Sequence, residues 1–211
     1  MWEIRNLSKC YGQVQAVKQV SFELKMGETA VVLGESGCGK STLLRLIAGL
    51  QKPDEGSVTR DGQPLSAKLY KRDIAMVFQE PALWNHMSVK ENLLFGCPEK
   101  NKARRNDLVR EVAGELGIGE LLGRKPDEIS GGQARRAAVA RALLSQRSLL
   151  LLDEPFTNLD PEIKSRTIRT VQKYCGSCAI LLVTHDSSEA GEFGARIFRM
   201  KAGELESVPG D

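Results

Sequence analysis

The chain has 211 residues, 41% of them hydrophobic and 27% charged, a balance that suits a globular protein with one substantial core. Its formal net charge of +3 is too small to favour a nucleic-acid partner, and no apolar run approaches the roughly 18 residues of a membrane span. The opening MWEIRNLSKCYG lacks an apolar signal core, so the expectation is a cytoplasmic protein whose 5 irregularly spaced cysteines stay reduced.

In chain order, WEIRNL and VKQVSFEL alternate as strands do and flank the turn-like CYGQ, which predicts an N-terminal antiparallel part. TAVVLG is near-continuously apolar, as a central strand requires, and feeds a glycine loop and a helix from Ser41 to about Leu50. KPDEGSVTRDGQ carries turn signals at Pro53-Asp54 and Asp61-Gly62 around a short strand. DIAMVFQ reads as another buried strand, ending at Gln79.

From Pro81 to about Arg147 the apolar spacing becomes helical, in SVKENLLFG, ARRNDLVREVAGELG and GGQARRAAVARALLSQ. Strands return as LLLLDEP, AILLVTH and RIFRM, with a helix from about Pro161 to Tyr174 between the first two. This alternation predicts an α/β fold with a mostly parallel sheet flanked by helices. The helical stretch predicts a subdomain inserted at about 81–147 into a core of 1–80 and 148–211. Cys175 and Cys178 fall in the turn before AILLVTH, where a C-x-x-C without a second pair is expected to be inert. The closing KAGELESVPGD predicts no appended domain.

GESGCGKS, Gly34 to Ser41, fits G-x-x-x-x-G-K-[ST] between a strand and a helix, where backbone amides and the helix N-terminus together cradle phosphate. Gly34, Gly37 and Gly39 give the backbone its freedom, while Glu35, Ser36 and Cys38 complete the loop. Lys40 is placed for the β- and γ-phosphates, the Ser41 hydroxyl for Mg²⁺, and Thr42 for the α-phosphate. LLLLDEP ends an apolar strand in two carboxylates that alternate in direction. Asp153 is the candidate for the Mg²⁺ shell, and Glu154 for polarising or deprotonating an attacking water. Ser130, Gly131 and Gly132 offer a hydroxyl and open amides at a helix start, a second anion site in a chain that already holds one.

With ISGGQ at Ile129 to Gln133, the chain closely resembles the ATP-binding-cassette ATPases, whose signature is LSGGQ. The resemblance implies a P-loop NTPase that binds ATP and Mg²⁺, hydrolyses ATP, and pairs head-to-tail. Ser130, Gly131, Gly132 and Gln133 of one subunit would then face the γ-phosphate held by the other. It also implies an adenine-stacking ring at Tyr11 and a glutamine at Gln79 that senses Mg²⁺ and the attacking water. Asp160, in NLD, would lie in the loop crossing the dimer interface, and His185, in LLVTHD, would contact the γ-phosphate.

MVFQEPALWNHMSVKENLLFG resembles importer ATPases, which implies a separate transmembrane permease, a second ATPase copy or related subunit, a substrate-binding protein, and a peripheral place on the cytoplasmic face of the membrane. Trp84 and Met87 are candidates for permease contact, with packing of the helical lobe as the alternative. A single cassette also fits the non-transport ATPases of cell division or lipoprotein release, which stay open as the second reading.

Overall fold

The computed structural model describes residues 1–208. β1 (Trp2–Tyr11) and β2 (Val14–Leu24) pair antiparallel, and β4 (Glu55–Arg60) with β5 (Gln63–Pro64) extends them into a sheet ordered β2-β1-β4-β5. Both long strands run past the apolar alternation that marks them in the sequence. Register breaks between Ile4 and Cys10, with Asn6 at a φ of 50°, let one strand bend while its ladder resumes.

The second sheet is ordered β10-β9-β3-β8-β7-β6, built from β3 (Thr29–Leu33), β6 (Ile74–Val77), β7 (Leu149–Asp153), β8 (Ala179–Thr184), β9 (Arg196–Lys201) and β10 (Glu204–Ser207). It is parallel from β9 through β6, and β10 alone runs antiparallel, closing a hairpin on β9. Helices α1 (Lys40–Ala48), α2 (Val89–Gly96), α3 (Lys102–Glu115), α4 (Gly131–Leu144), α5 (Pro161–Tyr174) and α6 (Ser187–Phe193) complete the elements that position the site. Helix α1 stops two residues before the expected end because Gly49, at a φ of 77°, turns its amide back to Arg45 and Leu46. β6 likewise ends at Val77, so Gln79 lies in the segment beyond it.

Alternation along the central strands sorts their side chains into two cores. Leu149, Leu151, Ala179, Leu181 and Val183 join α1 and the inward face of the antiparallel sheet, including Trp2, Ile4 and Leu7. Leu150, Leu152, Ile180 and Leu182 face the other way, into one apolar cluster with α2 to α6. The helices of 81–147 therefore share a continuous core with the sheet face they cover. Among the described residues, no helix is long and apolar enough to cross a membrane. Cys175 and Cys178 sit in the turn between α5 and β8, where the Cys178 amide donates to the Cys175 carbonyl at 3.0 Å.

Candidate functional site

The strand order places the C-terminal ends of β3, β8, β7 and β6 side by side, with Gly34 and His185 directly after β3 and β8, Asp153 ending β7, and Gln79 two residues past β6. This is the edge at which open parallel sheets bind ligands. After β3 the loop Gly34–Ser41 turns into α1, with Gly39 at a φ of 114° as the residue before the helix. A Cβ at Gly39 would collide with the Ala16 carbonyl oxygen, so the loop is pressed against β2 and only glycine fits. The Gly203 amide donates to the Cys38 carbonyl at 3.0 Å and fixes the loop from the β9–β10 side. A cavity of about 760 Å³ borders the loop, lined by Gly34 to Cys38 together with His185, Arg199 and Lys201.

Lys40 is 5% exposed, and its Nζ donates to the carbonyls of Gly34 at 2.7 Å and Glu35 at 2.8 Å. The ammonium is thus held inside the loop, 4.0 Å from Glu154 Oε1. Ser41 Oγ donates to Asp153 Oδ1 at 2.9 Å, joining the start of α1 to the end of β7. Asp153 is 1% exposed, and burial pushes its carboxyl above the usual range, against the opposing pull of the Ser41 hydrogen bond and Arg45. A buried carboxylate and a hydroxyl, both hard oxygen donors, suit Mg²⁺. The Thr42 backbone enters the first turn of α1 beside them.

Glu154 leaves β7 with a φ of 46°, left-handed for a residue other than glycine, while its amide still donates to the Val183 carbonyl at 3.0 Å. The kink separates the two carboxylates: Asp153 goes to Ser41, and Glu154 goes between Lys40 and His185. His185 Nδ1 stands 3.4 Å from Glu154 Oε2, and the Thr157 hydroxyl donates to that same oxygen at 3.4 Å. His185 is 59% exposed, so its ring can meet a ligand in the adjoining cavity.

Not every candidate joins this cluster. Tyr11, 46% exposed at the β1–β2 turn, donates its hydroxyl to Gln51 Oε1 at 2.5 Å and leaves a ring face in solvent. Gln79 is tied through its main chain, its carbonyl accepting from Arg135 Nη2 at 3.0 Å. Among the described residues no hydrogen bond joins the Gln79 side chain to Ser41 or Asp153. Ser130 caps α4: its Oγ accepts from the Gln133 amide at 3.3 Å, and Gln133 Oε1 accepts from the Ser130 amide at 2.8 Å. Gly131 faces open space, and Gly132 lies against Leu159, one residue before the exposed Asp160 that precedes α5. No hydrogen bond among the described residues connects Ser130–Gln133 with Gly34–Thr42.

Three positions carry structure that the sequence reading passed over. Arg135 also donates to the Thr157 carbonyl, spanning the segments after β6 and β7. Arg141 donates to the Ala82 carbonyl at 2.6 Å and lies 4.5 Å over the Trp84 ring, which meets Phe95 edge-on at 4.5 Å. Asn92, fully buried, receives the Trp84 amide at 2.9 Å. Trp84 therefore packs within the helical segment, and the apolar surface it leaves is Phe95, 65% exposed. The signal for these residues was present as arginines and a buried asparagine on helical faces, but such residues read as solvated until their neighbours are known.

Comparisons with known proteins fit this geometry. The ABC transporter family profile matches residues 17–157. The chain is 41% identical over 212 residues to the xylose/arabinose import ATP-binding protein XacJ of Haloferax volcanii, covering 98% of this chain and 55% of that protein. It is 43% identical over 213 residues to the trehalose/maltose import ATP-binding protein MalK of Thermococcus litoralis, covering 95% of this chain and 57% of that one. The chain thus spans little more than half the length of these two relatives. A dimeric, post-hydrolysis structure of the ATP-binding cassette MJ0796, bound to ADP and phosphate, superposes with a TM-score of 0.88 at 31% identity, with both chains fully covered. The profile match over residues 17–157, together with identities of 41% and 43% across nearly the whole chain, makes it a member of the ABC transporter family.

Proposed function

We propose that this chain is an ATP-hydrolysing nucleotide-binding subunit that pairs head-to-tail with a second copy or a related cassette and powers import through a separate transmembrane permease. The observation that carries the reading is the position of Glu154: its carboxylate stands between Lys40 and His185, beside the hydrogen-bonded Ser41–Asp153 oxygen pair.

Backbone amides of Gly34 to Gly39 and the start of α1 would hold the phosphate chain of ATP, with Lys40 on the β- and γ-phosphates and Thr42 on the α-phosphate. Tyr11 would stack on adenine through its exposed face. Ser41 and Asp153, with Gln79, would hold Mg²⁺, which when bound supplies charge neutralisation to the β- and γ-phosphate oxygens. Glu154 would accept the proton of the attacking water, with His185 against the γ-phosphate.

Ser130 to Gln133 make no hydrogen bond to their own loop, and Gly131 opens to solvent, which suits donation to the nucleotide of a neighbouring subunit. Asp160, exposed beside Leu159, would cross that same interface. About three charge-assisted hydrogen bonds per site, at roughly 1.5–3 kcal/mol each, are on the scale of the association cost of about 4–15 kcal/mol when two sites close together. Closure then needs both γ-phosphates, and hydrolysis releases it.

A groove lined by Met76, Trp84, Phe95 and Arg141 borders the helical segment, and we assign it to the permease, with a substrate-binding protein as the further partner. The segment 81–147 acts as a subdomain inserted into a core of 1–80 and 148–211, and docking on the permease would hold the chain peripherally on the cytoplasmic face. Relatives at 38–43% identity are named for pentoses, sulfate, disaccharides and glycerol phosphate, so the shared cassette serves many cargoes and import is their common activity. Replacing Glu154 with glutamine is expected to lower ATP turnover by at least about 100-fold while leaving ATP binding within a few fold. Retained turnover in that variant would remove Glu154 from the chemistry.

A further inference from the structure

We propose that Arg135 is a positioning residue for hydrolysis, fastening the Gln79 segment and the Glu154 carboxylate to the first turns of α4. The inference rests on the ATP-hydrolysis reading and deepens it. One guanidinium reaches two loops that are far apart in sequence: Nη2 donates to the Gln79 carbonyl at 3.0 Å, and Nη1 donates to the Thr157 carbonyl. Thr157 in turn donates its hydroxyl to Glu154 Oε2 at 3.4 Å. Two hydrogen bonds, joined through the backbone and side chain of Thr157, therefore link the helix capped by Ser130 to the carboxylate beside Lys40 and His185.

The residue type matters. Two carbonyls on separate segments need two donors held at a fixed separation, which the planar guanidinium supplies and the single ammonium of lysine does not. Arg135 Nε is buried with no hydrogen-bond partner among the described residues, so the side chain holds this place while leaving a donor unsatisfied. Its two carbonyl acceptors belong to the segments that follow β6 and β7, where Gln79 and Glu154 lie. A shift of α4 accordingly moves both segments together. Arg136 and Arg141 are fixed elsewhere, Arg136 on the Leu116 and Gly117 carbonyls and Arg141 on Ala82 and Trp84.

The test compares the wild-type chain with Arg135→Lys, Arg135→Gln and Thr157→Val. It measures steady-state ATP turnover with magnesium, and amide hydrogen exchange of nucleotide-free protein over residues 78–82 and 154–160. The expected result for both Arg135 variants is a kcat lowered about tenfold with KM within twofold, and faster exchange in the two segments without faster exchange in β3 or β8. Thr157→Val is expected to lower kcat alone, and its combination with Arg135→Gln to cost less than the product of the two effects. The proposal is overturned by an unchanged kcat in the Arg135 variants of an active protein, by unchanged exchange in either segment, or by exchange that rises throughout the chain. A wild-type chain without ATP turnover refutes the hydrolysis reading instead, and the exchange measurement then decides on Arg135 by itself.

Discussion

Glu154 shows how much a single backbone angle decides. In a regular strand it would point away from Asp153 into a core; at a φ of 46° it swings towards Lys40 and His185 instead. The pair DE was legible as a catalytic candidate, but the kink was not, because glutamate has no local preference for left-handed backbone. Tyr11 was legible only by resemblance, and its exposed ring gives a direct check. Tyr11→Ala is expected to raise the KM for ATP about 5- to 100-fold, on the scale of aromatic–base stacking, whereas Tyr11→Phe keeps the ring and the affinity. Equal behaviour of the two variants in ATP titrations would place adenine elsewhere.

Asp186, next to His185, is held in an ion pair with Lys164. The Lys164 ammonium, 2.5 Å away, and the Ser188 hydroxyl hold its carboxyl down at about 2. A depressed acid stabilises the fold above its unfolded value near 3.9 and loses that contribution as pH falls towards 2. Lys164 is shifted upward by the same contact, so its contribution persists through neutral pH and is lost only as pH rises beyond the ordinary lysine range. Asp186→Asn keeps the cap on α6 and removes the charge. It is expected to cost about 1 kcal/mol at pH 7, discounted for a side chain 33% exposed, with the difference from wild type fading below pH 4. Urea unfolding across that range checks it, and a difference that persists at pH 2 would contradict the ion pair.

At the scale of elements, the buried strands and long helices were readable because apolar periodicity over five or more residues leaves few alternatives. α5 runs from Pro161 to Tyr174, as its pattern and N-terminal proline indicate. β10 was missed: it buries little besides Leu205, and its place depends on β9, which no local pattern reveals. The helices of 81–147 were legible as helices, but the sharing of one cluster with Leu150, Leu152, Ile180 and Leu182 was not. Leu151, fully buried on the opposite face with α1, gauges the other core. Leu151→Ala is expected to cost about 2–5 kcal/mol in urea unfolding, and a loss under 1 kcal/mol would mean that the layer packs loosely. Phe95→Ala is expected to leave ATP binding unchanged while weakening co-purification with the proposed permease. Undiminished co-purification would move the docking surface off this groove.

For the molecule as a whole, the order of motifs along the chain pointed to the family, and the fold brings the phosphate loop, Asp153, Glu154 and His185 to the carboxyl edge of one sheet. What the sequence could not show is that Ser130 to Gln133 stand apart from their own phosphate loop, since that depends on how α4 packs on β6 and α2. In the proposed assembly this helix tip meets the phosphate loop of a second cassette. The most direct measurement is the solution mass of the Glu154→Gln chain at saturating ATP and Mg²⁺. The 23.2 kDa protein is expected to double in mass and to return to monomer when Ser130 is also replaced by arginine. A nucleotide-loaded Glu154→Gln protein that remains at 23.2 kDa, or a dimer indifferent to Ser130→Arg, would contradict it.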